Sequence, residues 1–346
     1  MAVTSTIQEP ELLAAARGGD EEAFRRLVAP YRAQLHAHCY RMLGSLHDAE
    51  DVLQDAMLRT WRGLPGFDGR SAFRTWLYRI ATNVCLDVIR RRPKRVLPID
   101  YERPSTSETD IGSDATQVMD RWIDPYPDEE LELEDGYAVP EARYEQREAV
   151  ELAFVAALQH LPPRQRAVLI LREVLAFSAA EVAEALGSTE ASVNSALQRA
   201  RRAVEKRIPD RSQQATARSL GDEQVQGLVE RFSDALQRGD TAGILAVLAE
   251  DVTFSMPPYA GWWRGRAAVA DSWLMPGGAP AALRYLPARA NGQPAVAAYR
   301  LSPDGSRFVP LALDVLTLHG ASIGEVTAFR TPELFGSFGL PTELAA

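Results

Sequence analysis

The stretch SAAEVAEALGSTEASVNSALQRARRAVEKR, which begins at Ser178, has the pattern of two short helices joined by a tight turn. Ser178 is followed three residues later by Glu181, which makes a capping box and predicts a helix start. Gly187 supplies the left-handed residue that commonly ends a helix, and Ser188 or Thr189 can cap the next one. The segment therefore predicts a helix–turn–helix.

The second of these helices separates apolar from polar positions. The apolar positions recur at the spacing of one buried helix stripe: Val193, Leu197, Ala200 and Val204. The other side carries short polar side chains towards the N-terminal end and cations behind them: Asn194, Ser195, Gln198, Arg199, Arg202 and Lys206. Such short side chains can contact base edges in the major groove while the cations contact phosphates. The pattern predicts DNA binding, with a solvated basic face of a bundle helix as the alternative.

Charge is distributed unevenly along the chain, whose formal net charge is −9. Residues 96–145 carry a net charge of −12 and residues 219–346 carry −4. Residues 1–95 and 146–218 carry +4 and +3, with their cations concentrated in RRRPKR and RARRAVEKR. Because local fields steer a polyanion, the acidic total does not argue against nucleic-acid binding by the two basic blocks.

Length and composition predict a multidomain protein of the reducing cell interior. The chain has 346 residues, which exceeds one ordinary domain. It contains no apolar run of membrane-spanning length, and its N-terminus lacks the cationic start and apolar core of a signal peptide. The two cysteines, Cys39 and Cys85, lie inside helical patterns and do not indicate a disulfide framework. We therefore expect a cytoplasmic location.

The periodicity and composition of the sequence change three times along the chain. Residues 10–95 have helical periodicity, whereas residues 96–140 have none and are rich in acid, proline and serine. That composition predicts an exposed linker, although a tryptophan and a tyrosine in RWIDPYPDEELELED could dock. Helices resume over residues 141–211. After a short polar joint, residues 219–346 combine a helix at 222–238 with short β-like runs, which predicts an α+β domain.

Three motifs occur in a fixed order: DAEDVLQDAMLRTW, then GFDGRSAFRTWLYRIATNVCLDVIRRR, then LPPRQRAVLILREVLAFSAAEVAEALGSTEASVNSALQRARRAV. Together they resemble an extracytoplasmic-function, or group-four, sigma factor of the sigma-70 family. The first two motifs resemble its region 2 and the third its region 4. The resemblance implies two all-α domains, promoter-specific transcription initiation, core RNA polymerase and promoter DNA as partners, and neither catalysis nor a cofactor.

The resemblance also implies roles for individual residues. One face of the first motif would contact the coiled coil of the polymerase β′ subunit, through Asp51, Gln54 and Asp55, although a solvated helix face is the alternative. The second motif would hold the melted minus-10 element, through Phe67, Ser71, Arg74, Arg79, Asn83 and Arg90. The third motif would contact the minus-35 element, with base contacts from Asn194, Ser195, Gln198 and Arg199 and a phosphate contact from Arg202.

Residues 219–346 resemble a SnoaL-like domain, an α+β fold in which a curved sheet and helices enclose a cone-shaped cavity. Aromatic residues in the turn-rich stretch PPYAGWWRGR can line such a pocket: Tyr259, Trp262 and Trp263. Asp314 lies on a strand face with Leu316 and could point into the cavity as a base, although a paired structural carboxylate is the favoured interpretation. A small-molecule ligand of this domain is an additional expected partner.

The sequence leaves three functions to compare. The first is a sigma factor that its C-terminal domain modulates, and the second is a one-component DNA-binding regulator whose C-terminal domain senses a ligand. The third is an enzyme carried by the C-terminal domain. A zinc site in HAHC is not expected, because only His36 and Cys39 share a helix face there and no second cluster completes four ligands.

Overall fold

The computed structural model describes the following residues: 3–101, 103–105, 121–131, 148–273 and 282–346. The chain forms two compact units, each built from two segments. The first unit comprises residues 1–94 and 130–209, and the second comprises residues 95–129 and 210–346.

The first unit is helical. Its helices are α1 (Val3–Arg17), α2 (Glu21–Val28), α3 (Arg32–Leu43), α4 (Leu46–Gly63), α5 (Phe73–Ile89), α6 (Leu152–Gln159), α7 (Pro163–Leu169), α8 (Ala179–Leu186) and α9 (Glu190–Glu205). A π-helical turn, Ile170–Val174, extends α7. Helix α5 ends before Pro93, a residue that lacks the N–H that a helix interior needs.

The core of the N-terminal helices contains the histidines of HAHC. His38 Nε2 lies 2.9 Å from Thr82 Oγ1, which joins α3 to α5, and burial lowers the pKa of His38 to about 3. His36 Nε2 lies 3.7 Å from Glu50 Oε2. These side chains are therefore structural, and among the described residues no group of three or more His, Cys, Asp and Glu side chains could hold a metal ion.

The helix–turn–helix is confirmed with the caps that the sequence predicts. The Ser178 side chain and Glu181 form the capping box at the start of α8. Gly187 follows α8 with φ of 58°, the left-handed conformation that glycine adopts at little cost. Thr189 Oγ1 then accepts a hydrogen bond from Ser192 N and caps α9. The buried side of α9 is the predicted stripe of Val193, Leu197, Ala200 and Val204.

The second unit is an α+β domain. Its helices are α10 (Gln213–Leu220), α11 (Asp222–Arg238), α12 (Thr241–Val247) and α13 (Arg266–Trp273). Its strands are β1 (Leu248–Ser255), β2 (Trp262–Arg264), β3 (Leu283–Ala290), β4 (Gln293–Leu301), β5 (Arg307–His319), β6 (Ser322–Phe329) and β7 (Leu344–Ala345). The sheet order is β2-β1-β6-β5-β4-β3, with β1 parallel to β6, and β7 pairs with the start of β5.

One face of this sheet forms a hydrophobic core with α11 and α12. The α11 side chains include Leu228 and Phe232, and strands contribute Phe254, Leu316 and Val326. Because successive strand residues point to opposite faces, this core assigns alternate positions of β1 and β5, together with Val326 and Ala328 of β6, to the helix-covered side.

The polar joint expected after the helix–turn–helix is wrong over residues 213–220, which form α10. The Gln213 side chain donates to Leu318 O at 3.2 Å and accepts from Leu318 N at 2.6 Å. The β5–β6 register shifts between Thr317 and Leu318, so Gln213 satisfies backbone groups at this irregularity. A helix held by buried amides has no apolar stripe, which explains why periodicity missed it.

The exposed linker predicted for residues 96–140 is wrong for residues 96–98 and 122–127, which are buried or half-buried in the second unit. Trp122, Ile123 and Tyr126 are buried, and Trp122 shares a small apolar cluster with Val96 and Ala260. Tyr126 N donates to Asn291 Oδ1 at 2.9 Å, and Asn291 N donates to Tyr126 O at 2.8 Å. The apolar side chains of RWIDPYP and these backbone bonds outweigh the acidic composition. Residues 106–120 and 132–147 lie outside the described residues.

Candidate nucleic-acid interface

The outward side of α9 is a polar surface that is open to a ligand. Its members are all exposed: Asn194, Ser195, Gln198, Arg199 and Arg202. Neither Arg199 nor Arg202 has a hydrogen bond or ion pair to any residue that the structure describes. Arg201 differs, because its Nη2 lies 2.6 Å from Glu173 Oε1. Two cations on this surface are therefore available to phosphates or bases.

The predicted base-stacking role of Phe67 does not fit its position in the structure. The Phe67 side chain is 5% exposed and lies in an aromatic cluster, with ring centroids 6.0 Å from Phe73 and 4.9 Å from Trp76. Trp76 is buried as well. The cluster closes the loop before α5 onto the core, because burying large aromatic surfaces is strongly favourable. Phe67 is therefore a core residue in this conformation.

Arg74 and Arg79, on the N-terminal half of α5, contact the segment that leads into α8 and α8 itself. Arg74 Nη2 donates to Leu175 O at 2.9 Å, and its Cζ lies 4.1 Å from the Phe177 ring centroid. Arg79 Nη1 lies 3.8 Å from Glu184 Oε1 on α8. Both predicted DNA contacts are thus engaged by protein groups.

The other predicted minus-10 residues lie apart from that contact. Asn83 is exposed further along α5, and Arg90 is exposed directly after its last residue, with Nη1 2.9 Å from Asp87 Oδ1. Ser71 is half-buried before the helix starts. The structure thus separates the predicted set into buried, covered and exposed groups, and it does not bring them together as one open surface.

A buried polar network joins α3 to α6 and α7, and the sequence analysis missed it. The Arg166 side chain is 4% exposed, and it donates to Met42 O, to Gln159 Oε1 at 2.5 Å and to Gln159 O at 3.0 Å. Gln159 Nε2 donates in turn to Arg41 O at 3.1 Å. Burial lowers the pKa of Arg166 to about 10, so the side chain stays charged at neutral pH. An arginine within the apolar run RAVLIL was the available signal.

The exposed face of α4 contains the three residues assigned to polymerase contact. Asp51, Gln54 and Asp55 lie on one side of the helix, where Asp51 Oδ2 lies 3.6 Å from His47 Nε2 and Asp55 makes an ordinary i,i+4 ion pair with Arg59. Leu58 lies on the same side, one turn beyond Asp55, and is 55% exposed. The sequence analysis missed this exposed leucine, because Leu58 lies outside the apolar stripe of α4.

The sheet register divides the aromatic residues predicted to line a pocket. Trp263 pairs with Phe254, and their ring centroids lie 5.9 Å apart on the helix-covered face. Trp262 pairs with Ser255, so its side chain points to the opposite face. Tyr259 packs against the same core as Trp263. Trp262 therefore does not share a face of the sheet with Trp263.

Asp314 lies on the helix-covered face of β5, as the strand pattern predicts. It pairs with Val296 on β4 and Ala328 on β6, and both neighbours belong to the core. Burial raises the pKa of Asp314 to about 7, while the positive charge of Arg330 acts in the opposite direction. The favoured interpretation of a paired structural carboxylate is not what the described residues show, since none of them forms an ion pair or hydrogen bond with it.

Comparison with known proteins gives the same division of the chain. Residues 27–95 match the model of sigma-70 region 2, residues 151–204 match sigma-70 region 4, and residues 229–326 match the SnoaL-like domain. The ECF RNA polymerase sigma factor SigG of Mycobacterium tuberculosis is 41% identical over 330 residues, which covers 95% of this chain and 86% of SigG. The chain is an extracytoplasmic-function sigma factor.

Other relatives of this sigma factor differ in how much of it they cover. SigW of Bacillus subtilis is 31% identical over 192 residues, which covers 56% of this chain and 92% of SigW. The crystal structure of the Mycobacterium tuberculosis extracytoplasmic-function sigma factor SigJ has a similar fold, with a TM-score of 0.55 and 23% identity. It covers 90% of this chain and 97% of SigJ. Because the chain belongs to the sigma-factor family, its function is transcription initiation and not that of a one-component DNA-binding regulator.

The helices of this sigma factor are relevant to whether the chain could span a membrane. Within the described ranges, none combines the length and the apolar character that crossing a bilayer needs.

Proposed function

We propose that this sigma factor binds core RNA polymerase through the exposed face of α4, reads the minus-35 element with α9 and holds the melted minus-10 element with α5. The observation that carries the proposal is the open polar side of α9, with Arg199 and Arg202 unpaired among the described residues. The protein would act in the cytoplasm, without covalent chemistry or a cofactor. In vitro transcription with purified core polymerase tests it, because promoter recognition should require the polymerase.

The α4 surface supports the polymerase contact by its charge and by its apolar centre. Acidic side chains at Asp51 and Asp55 suit a basic coiled coil of the β′ subunit, and Leu58 supplies an apolar side chain that a partner can bury. Exposed charges alone contribute little binding free energy, because they are screened by solvent and salt. We therefore expect Leu58 to contribute more to affinity than either acid.

Two arginines of α9 are expected to act differently on DNA. Arg199→Ala should lower minus-35 affinity and relax base preference at one position, roughly tenfold, because a base contact is lost. Arg202→Ala should weaken binding to all sequences and reduce the slope of log affinity against log salt by about one. Polymerase–promoter binding at several salt concentrations would measure both effects.

Arg201→Ala is the matched control for these variants, because Arg201 is exposed on the same helix but pairs with Glu173. It should change neither base preference nor the salt slope. If Arg199→Ala and Arg202→Ala change base preference and the salt slope in the same way, then the base contact assigned to Arg199 and the phosphate contact assigned to Arg202 are wrong.

The contact between α5 and α8 limits how the first unit can engage a promoter. Elements centred near positions −10 and −35 lie about 25 base pairs apart, or roughly 85 Å at 3.4 Å per base pair. In this unit Thr75 Oγ1 on α5 donates to Glu181 Oε1 on α8 at 3.0 Å, so the two DNA-binding helical modules touch. We propose that this is a closed state, and that polymerase binding separates α8 from α5 and releases Arg74 and Arg79.

Weakening that contact should shift the free protein towards an open state. Thr75→Val removes the hydroxyl at nearly constant shape, and Glu184→Gln removes the ion pair with Arg79. Together they should raise the open population roughly threefold to tenfold. Energy transfer between dyes at Arg62→Cys and Gln198→Cys, which replace exposed side chains on α4 and α9, would report it.

The control for the closed state is Glu22→Gln, which removes an exposed ion pair with Arg25 inside α2. It should leave energy transfer unchanged. A double variant Thr75→Val/Glu184→Gln with the energy transfer of the parent protein would contradict the closed-state proposal.

We propose a regulatory role for the SnoaL-like domain, in which a small molecule bound to the second unit alters promoter-dependent transcription. The support is the buried Asp314 carboxylate on the core-facing side of its sheet, which has no hydrogen bond or ion pair among the described residues. Transcription by the full-length protein and core polymerase, with and without such a molecule, tests the role.

A further inference from the structure

The C-terminal end of α3 is buried against the two helices that precede the helix–turn–helix. Backbone carbonyl groups in the last turn of an α-helix have no hydrogen-bond partner within the helix. Two of them, on Arg41 and Met42, accept hydrogen bonds from side chains of α6 and α7. Gln159 Nε2 donates to Arg41 O at 3.1 Å, and Arg166 Nη1 donates to Met42 O. Region 4 of this sigma factor thus caps a helix of region 2.

Gly44, the residue directly after α3, leaves room for this cap. Its φ is 70°, a left-handed conformation that favours glycine. A Cβ added at Gly44 would lie 3.2 Å from Gln159 Cδ, which is closer than an ordinary van der Waals contact between carbon atoms. A larger residue at this position would therefore displace the Gln159 amide from the end of α3.

The contact is both buried and polar. Arg41, Gln159 and Arg166 are each at most 4% exposed. Arg41 also donates in the other direction, since its Nε lies 3.0 Å from Ala149 O in the segment before α6. The contact is called the α3 cap here, and its members are Arg41, Met42, Gly44, Gln159 and Arg166.

The hydrogen bonds of Arg166 make the α3 cap reversible. Within its own region, Arg166 also donates to Gln159 Oε1 at 2.5 Å, to Gln159 O at 3.0 Å and to Leu161 O at 3.4 Å. These acceptors move with Arg166 when region 4 leaves region 2, and water can bind the carbonyl groups at the freed end of α3. Separation therefore leaves no charge buried without a partner, which would be the largest cost of breaking such a contact.

We infer that the end of α3 is the docking site of region 4 on region 2, and that the α3 cap must break before core polymerase can use the protein. The inference rests on the closed state proposed above and names the contact that regulates it. The position of the cap supports it, because α4, the helix proposed to bind polymerase, begins at Leu46, two residues after Gly44. The docking site and the proposed polymerase surface are thus joined by a single turn.

Gln159→Leu and Gly44→Ala test the α3 cap from its two sides in the full-length protein, with the dyes at Arg62→Cys and Gln198→Cys. Removing or displacing the amide should raise the open population roughly tenfold in each variant. The apparent affinity for core polymerase should rise by a similar factor, because a larger fraction of the protein is competent to bind. Gly187→Ala is the matched control, since Gly187 is also left-handed but has nothing within 4 Å of an added Cβ.

Both glycine variants should lose thermal stability to a similar extent, because both place alanine in a left-handed conformation, but only Gly44→Ala should change energy transfer. If neither Gly44→Ala nor Gln159→Leu changes energy transfer, the α3 cap does not hold the closed state. An open population that rises without a gain in polymerase affinity would contradict the role of the cap in polymerase binding. If neither the wild type nor any variant binds polymerase, the proposed function is wrong, and energy transfer alone then decides whether region 4 docks at α3.

Discussion

Replacing Leu58 with aspartate is expected to lower the affinity of this sigma factor for core RNA polymerase by roughly 100-fold. Leu58 is a large apolar side chain that is 55% exposed, and it lies on the face of α4 that also carries Asp51 and Asp55. An apolar centre within a charged rim is the common composition of an interface hot spot. The substitution removes that centre and would bury an unpaired charge. Fluorescence anisotropy of the labelled protein with purified core polymerase would measure the change.

Tyr101→Asp is the matched control, because Tyr101 is another large side chain of the chain with high exposure, at 42%. It lies in the second unit, in the helical turn Pro98–Tyr101, away from α4 in the sequence. The affinity of the Tyr101→Asp variant for core polymerase should stay within about threefold of the wild-type affinity. Circular dichroism should show that both variants keep their helices. Equal losses in both variants, or no loss in Leu58→Asp, would exclude α4 as the polymerase surface.

Asp314→Asn is expected to stabilise the second unit by about 4 kcal/mol at pH 8, relative to its effect at pH 4. In the folded protein burial raises the pKa of Asp314 from 3.8 to about 7, against the opposing charge of Arg330 and beside the protonated Tyr285. Between pH 3.8 and about pH 7, the Asp314 carboxyl group is therefore mostly protonated in the folded state and mostly ionised in the unfolded state. Wild-type stability should fall as the pH rises from about 4 to about 7, whereas asparagine does not titrate.

Hydrogen exchange of the β4 and β5 amides, measured from pH 4 to pH 8 and corrected for the intrinsic exchange rate, would follow the stability of the second unit. The free-energy difference between Asp314→Asn and wild type should rise across this range and level off above pH 7. The exposed-site variant Asp251→Asn should show no such rise. A difference that does not depend on pH would mean that Asp314 is compensated in solution.

The residues predicted to contact the promoter illustrate how far the sequence could predict their exposure. The exposed face of α9 was predictable because its opposite face carries a regular apolar stripe. Burial of that stripe turns the polar side chains towards solvent. Phe67 was not predictable in the same way. Its burial depends on Phe73 and Trp76 meeting it after the chain turns into α5, and a loop aromatic has no periodicity that reveals this.

The second unit shows a similar division. The strand from Arg307 to His319 and the helix from Asp222 to Arg238 were readable, because alternation and 3.6-residue periodicity are properties of neighbouring residues. The opposite directions of Trp262 and Trp263 required the pairing of β1 with β2. The docking of Tyr126 required the hairpin residue Asn291, which lies 165 positions away in the chain.

The sequence by itself determined the helix–turn–helix, its caps, the buried and open sides of α9, and the order of the three family motifs. These features depend on residues at most a few turns apart, so local sterics and hydrogen bonding specify them. Only the tertiary structure decided that Arg74 is covered, that Leu58 is exposed, and that the Asp314 carboxylate lies buried near Arg330, which forms no ion pair with a described residue. Exposure and electrostatic compensation depend on which distant segments pack together, and no local pattern contains that information.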